Sequence, residues 1–375
     1  MNLFRFELNK YLNLKTLLLL LAVIIGITSF FFIRNILFQT AVTIEESKEI
    51  EGHLQSTYQA INEHREELKI NSDDEKGQQL LDISLSMRDE IFSLRSAHNQ
   101  SDWKEKLTSE NRFFQLVEDY QENGGNFPIS EEKLSESQAF NQQLLSKNIP
   151  PQLNTYSLAT PNFIKELADW YFIIGIPLLM LFFVGGIMTN EYERHTIRFM
   201  FTQPFSRASL ILTKGIIGLL LYSAIIVCAF LVSYIISNYF GHTGTFDYPV
   251  LIHQGEEISF ITISEYLWTS FILLSVTVLM CLSFYLFLSL LVKHTLGTII
   301  LFVMTLIIGR IINDWIPNVE FGWLNPFRNL FINESIINQS VNDWYVGIPI
   351  ALVVAIGFIF LSYKMLTTQK FSKSS

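Results

Sequence analysis

The chain has 375 residues, of which 50% are hydrophobic and only 16% charged, and its formal net charge is −9. A soluble globular domain carries about a quarter charged residues, so this composition excludes an ordinary soluble enzyme and fits a chain embedded in a bilayer. The two cysteines, Cys228 and Cys281, lie in apolar runs, and the seven histidines are scattered; neither a disulfide framework nor metal-ligand spacing is present.

In chain order, residues 1–16 mix Leu3, Phe4, Phe6, Leu8 and Tyr11 with Arg5, Glu7, Lys10 and Lys15. That pattern predicts a cytoplasmic helix lying on the membrane surface. A first span follows over 17–38, long enough to cross the hydrocarbon core. No small-residue cleavage pattern closes it, so it reads as a retained helix rather than a secretory signal.

Residues 39–165 are the one large segment outside the membrane. Thr43-x-x-Glu46 and Ser72-x-x-Glu75 read as capping boxes that start helices. Apolar stripes follow at Ile50, Leu54, Ile61 and Leu68, then at Leu80, Met87, Ile91 and Leu94. A third helix is marked by Trp103, Leu107, Phe114 and Val117. A shorter fourth follows the break at Gly124-Gly125-Asn126-Phe127-Pro128. Pro150-Pro151 stops it, and Thr160-Pro161 starts another, with proline at the first helical position. The segment reads either as a compact helical domain or as coiled-coil arms that pair with a second copy.

Five further spans are expected at 168–189, 212–238, 266–292, 295–312 and 345–366. Lys293-His294 makes a tight surface turn between the fourth and fifth. Residues 239–265 form an outer loop. Residues 313–344 read as interfacial or re-entrant helices, with Trp315, Trp323, Trp344 and Tyr345 as an aromatic belt. Residues 367–375 are a cytoplasmic tail. The expected fold class is therefore an all-α membrane protein. It has six transmembrane helices, an N-terminal interfacial helix and a helical extracellular domain after the first span.

Charge sets the orientation. Residues 41–165 hold 22 Asp and Glu against 12 Lys and Arg, so this one segment accounts for the whole net acidity. The N-terminus, residues 190–211 and the tail are basic, which places them and both termini in the cytoplasm. Arg5, Lys10, Lys15, Lys214 and Lys293 are expected as membrane-surface anchors. Arg34 and Arg310 run against the trend. Each can snorkel to the headgroups, and Arg310 is alternatively a candidate pathway residue.

No Gly-Lys-Ser/Thr triplet, His-Glu-x-x-His or Gly-x-Ser-x-Gly is present, so the chain shows no phosphate cradle and no hydrolytic motif. It is not expected to be an enzyme, and it calls for no cofactor of its own. The informative segment is 190–211. Glu191 and Glu193 open a short helix, where carboxylates complement the dipole. Arg194 and Arg198 share a face. Ile197, Met200 and Phe201 give an apolar side, Pro204 ends the helix, and Arg207 and Lys214 lead into the third span. This is a small amphipathic knob, suited to a groove on a partner or to the membrane surface itself.

Glu191, Thr196, Ile197, Arg198, Thr202, Pro204, Phe205, Ser206, Arg207, Leu210 and Lys214 stand in register with the coupling region of ABC-2 type transporter permeases, which this segment resembles. His195 stands where that family usually has glycine. Phe4–Lys10 and Leu324-Asn325-Pro326-Phe327 are similar to its lead-in and outer-loop patterns.

The resemblance implies a transport subunit driven by a separate ABC ATPase, present in two copies, which binds ATP and Mg. It also implies a second permease chain, identical or related, and docking through Glu191, Glu193, Arg194, Arg198, Phe201, Thr202, Pro204 and Arg207. Spans with few internal charges suit an amphipathic or hydrophobic cargo such as an antimicrobial peptide, a lipid or a drug. The lipid bilayer is the other partner, and nothing points to nucleic acid. The Asn-, Ile-, Lys- and Phe-rich usage suits an AT-rich bacterium and its cytoplasmic membrane. The rival expectation is an ABC permease that transmits force or a signal through its outer domain instead of moving cargo.

Overall fold

The computed structural model describes residues 3–11, 14–153, 155–171, 181, 184–202, 205–255, 257–315, 325–327, 332–339 and 343–368. Helix α1 (Leu3–Tyr11) precedes α2 (Leu14–Ile70), a single helix of 57 residues, about 85 Å long at 1.5 Å per residue. The capping box expected at Thr43 is absent. The Thr43 hydroxyl donates to the Thr40 carbonyl at 2.9 Å within the unbroken helix. Residues 39–49 contain no glycine or proline and are rich in helix formers, so nothing stops the helix where the apolar run ends.

Three more helices pack on the C-terminal half of α2. They are α3 (Glu75–Gln100), α4 (Trp103–Glu122) and α5 (Glu131–Lys147). The second expected capping box is also replaced: Asp74, not Ser72, caps α3 by accepting from Lys76 N–H at 3.2 Å. Asp102 caps α4 and Ser130 caps α5. Ile50 and Leu54 of α2 meet Met87, Ile91, Phe113, Val117 and Leu134 in one core. The apolar stripe of α2 is thus covered by the same chain, which makes this region a compact helical bundle.

Helix α6 (Thr160–Trp170) begins with proline in its first turn and lies against α2. Arg34 of α2 pairs with Glu166 of α6, and the guanidinium stacks on Phe31 and Tyr156 at 4.5 and 4.9 Å. Asn35 completes the clasp by donating to the Ser157 carbonyl at 3.0 Å and to Glu166 at 2.8 Å. Arg34 therefore joins two helices, where snorkelling to the headgroups was the expectation.

Beyond the short α7 (Thr189–Glu193) and α8 (Ile197–Thr202) lie α9 (Arg207–Phe240), α10 (Ile263–Val292), α11 (Thr295–Trp315), α12 (Ile332–Ile337) and α13 (Ile348–Thr368). Among the described residues, α2, α9, α10 and α13 are long and apolar enough to cross a bilayer, and α11 is apolar over the shorter stretch Thr295–Gly309. Half of the expected second span and half of the 313–344 segment fall outside the described residues.

The chain is mostly helical, as expected of an all-α membrane protein, and carries one small sheet. The loop at 239–265 folds as an antiparallel hairpin of β1 (Pro249–Gln254) and β2 (Glu257–Thr262), with Val250 opposite Ile261 and Ile252 opposite Ser259. Gly255 turns the chain at φ 68°, a conformation that glycine adopts without penalty. Phe140 of α5 packs on Tyr248 and Phe260, with ring centroids 6.0 and 6.2 Å apart, so the hairpin ties the helical bundle to α10. A full capping box, Thr262 with Glu265, starts α10.

Candidate functional site

The knob consists of α7, a turn over 194–196, and α8. Five- and six-residue helices are too short to stand alone in water, so tertiary contacts hold them. Glu191 supplies the main one. Its carboxylate is buried and accepts from Lys214 of α9 at 3.0 Å and from Lys10 of α1 at 2.6 Å. Lys214 is wholly buried. It also reaches Glu7 of α1 at 3.4 Å and donates to the Ile187 carbonyl. The Tyr11 hydroxyl donates to the Gly186 carbonyl at 3.3 Å. Burial, with Glu191 and Glu7 nearby, drives the Tyr11 phenol well above its usual range.

On the other flank, Glu193 accepts from the Thr295 backbone N–H at 2.6 Å, so it caps α11. That bond, with one from the Thr295 side chain and His294 nearby, holds its carboxyl below the usual range. The Thr189 and Thr295 hydroxyls are 2.7 Å apart, and Tyr285 of α10 donates to the Gly185 carbonyl at 2.5 Å. The knob and the segment leading into it are thus bonded to α1, α9, α10 and α11. Lys293 ends α10 in the left-handed conformation, with its ammonium 5.7 Å from the Tyr192 ring. This is the tight turn expected from the sequence.

The expected docking residues divide. Glu191 faces inward, and Glu193 is engaged with α11. Arg207 donates to the Leu366 carbonyl in the last turn of α13, where a cation complements the helix dipole. Arg194 and Thr202 are exposed. The Arg198 and Phe201 side chains and Pro204 lie outside what is described, as does the Arg310 side chain. Lys214, expected at the headgroups, is the centre of the ion cluster, while Arg5, Lys15 and Lys293 are exposed.

Two exposed aromatic residues, Phe199 and Phe205, complete the outward face. Phe199 carried no signal, because the i, i+3, i+4 pattern selected Ile197, Met200 and Phe201. Only Ile197 and Met200 are packed inward within the described side chains.

His195 in the knob's turn has φ 56°. That is the left-handed region, which explains why glycine suits this position.

Farther along the spans, α6, α9 and α10 line a half-open apolar pocket of about 560 Å³, with Ile164, Tyr171, Ile226, Phe230, Leu267 and Trp268 among its walls. No group of His, Cys, Asp or Glu among the described residues could hold a metal.

No curated protein and no solved structure matches this chain. A family model described as ABC-2 family transporter protein matches residues 1–361, essentially all of the architecture above. The chain therefore belongs to the ABC-2 transporter family, as a multi-pass membrane permease whose family implies partnership with an ABC ATPase.

Proposed function

We propose that the protein is the permease of an ATP-driven exporter in a bacterial cytoplasmic membrane, with both termini and the knob inside the cell. Two ATPase subunits bind ATP and Mg, and two permease chains pair. The ATPase docks on Arg194, Arg198, Phe199, Phe201, Thr202, Pro204 and Phe205. The observation that carries this reading is the knob's two-sidedness. Its inner side is bonded to α1, α9 and α11, while Arg194, Phe199 and Phe205 are exposed. A projection built this way hands on a push instead of absorbing it. The apolar pocket between α6, α9 and α10 supports an amphipathic or hydrophobic cargo.

The test is Arg198→Glu combined with Phe199→Asp, in protein co-expressed with the ATPase. Cargo-stimulated ATP turnover should fall to the basal rate while the permease stays folded. Normal stimulated turnover would sink the assignment.

One observation favours a second reading, in which the outer bundle is the mechanical output: α2 runs unbroken from the membrane into the bundle.

A further inference from the structure

Ion pairs, α1 and α2 run from the knob to the outer bundle, with residues 12 and 13 between the two helices outside the described residues. Glu191 in the knob holds Lys214 of α9, and Lys214 holds Glu7 of α1. Lys10, near the end of α1, returns to Glu191. Only residues 12 and 13 separate α1 from α2. Within α2, none of residues 36–45 is buried, so this part of the helix is an exposed stalk, touched by the Tyr156 ring at Phe38. Past it, Glu46 and Glu49 pair with Lys106 and Lys133 of the bundle at 3.2 and 2.7 Å, and Ile50 and Leu54 enter the bundle's core.

The ion cluster is also incompletely satisfied. Glu7 Oε1 and Glu191 Oε2 are buried without a hydrogen-bond partner among the described residues. A buried polar network with spare acceptors is costly to hold and has other pairings within reach. Lys214, between two carboxylates, can shift from one towards the other as the knob moves.

We propose that Glu7 is a positioning residue of the ATP-driven cycle: through Lys214 it ties α1 to the knob, so that displacement of the knob moves α1, the rigid α2 and the outer bundle as one lever. This rests on the ATPase docking proposed above. Glu7 touches neither nucleotide nor cargo. Its role is to make movement at the inner surface appear at the outer one.

The test uses the whole complex in lipid nanodiscs, with Cys228 and Cys281 replaced by alanine and spin labels at Gly52→Cys and Tyr239→Cys. Gly52 has open space around it, and Tyr239 is exposed at the outer end of α9. Distances are measured by pulsed electron resonance without nucleotide and with ATP plus vanadate. The expected result is a nucleotide-dependent shift that Glu7→Gln abolishes and Glu7→Asp retains, while the ATPase stays bound and keeps turning over ATP. A second variant, Thr43→Gly with Ile44→Gly, softens the stalk far from the cluster and should abolish the shift equally. It decides the matter if Glu7→Gln fails to accumulate. A shift of unchanged size in either variant overturns the lever, as does no shift at all in a complex that retains its ATPase. Failure of the unmodified permease to retain an ATPase overturns the docking reading instead.

Discussion

Lys214 Nζ lies 3.0 Å from Glu191 Oε1 in the protein interior, and its other carboxylate partner, Glu7, comes from the middle of the sequence-distant α1. Replacing Lys214 by methionine keeps the bulk but strands the buried Glu7 carboxylate and leaves Glu191 with Lys10 alone. Removing one partner of a buried pair costs about 3–5 kcal/mol. We expect Lys214→Met to lower the melting temperature of the solubilised permease markedly. Adding Glu7→Gln and Glu191→Gln should recover most of the loss, because no buried charge is then left unpaired and Lys10 can reach water. A melting temperature in Lys214→Met equal to that of the unmodified protein would contradict the burial described.

His195 gives a sharper local test. A side chain in the left-handed region costs roughly 1–2 kcal/mol, and glycine escapes most of it. His195→Gly should therefore stabilise the turn by about 1 kcal/mol, and ATPase co-purification should be at least as good as before. His195→Val, with a branched Cβ at the same φ of 56°, should destabilise by at least that much. Thermal melting and pull-down of the two variants, compared side by side, check the sign.

How much of this was legible in the sequence differs from element to element. The apolar runs that became α9, α10 and α13 were readable because a bilayer demands length and apolarity, and both are local properties. The end of α2 was not readable from hydropathy. The apolar run stops near Phe38, but a helix ends only where backbone chemistry ends it, and residues 39–49 supply no such stop. The hairpin at 249–262 was missed, although the buried Val250 and Ile252 alternate with the half-buried Leu251 and His253 before Gly255. The knob was located by its charges and Pro204, but its inward and outward faces were not separable. Glu191 and Glu193 look alike in sequence. Which of them is buried depends on Lys214, more than twenty residues on, and on α1 at the far end of the chain.

Helices α9 and α10 approach closely at Gly218. A Cβ there would stand 2.7 Å from a Leu282 methyl carbon, nearer than normal contact permits. Small residues at such crossings let apolar helices pack in a bilayer. Gly218→Leu should destabilise by about 1–3 kcal/mol, the usual cost of overpacking. Gly215→Ala, where the nearest side-chain atom is 4.0 Å away, should be close to neutral. If melting shows the two variants to be equally tolerated, the crossing is not at Gly218.

In the helical bundle on α2, Glu110 of α4 accepts from Asn141 of α5 at 2.9 Å. Desolvation still holds its carboxyl above the usual 4.5, against the pull of Asn141 and Lys106, with Glu49 and Glu46 adding to the rise. A carboxyl raised in the folded state binds its proton more tightly there than in the unfolded chain. Its contribution to stability is full below about 4.5 and is lost as pH rises through the folded value. Glu49 works in the opposite sense, since the hydrogen bond from Lys133 lowers its carboxyl, so its contribution is lost as pH falls. The net slope of the bundle mixes the two, and the Glu110 part is isolated by Glu110→Gln, which keeps an acceptor for Asn141 and cannot ionise. Urea unfolding of the intact protein, read by Trp103 fluorescence, should show Glu110→Gln stabilising the bundle near pH 8 and making little difference near pH 4. A benefit that is equal at both pH values, or larger in acid, would mean that Glu110 does not titrate above its unfolded value.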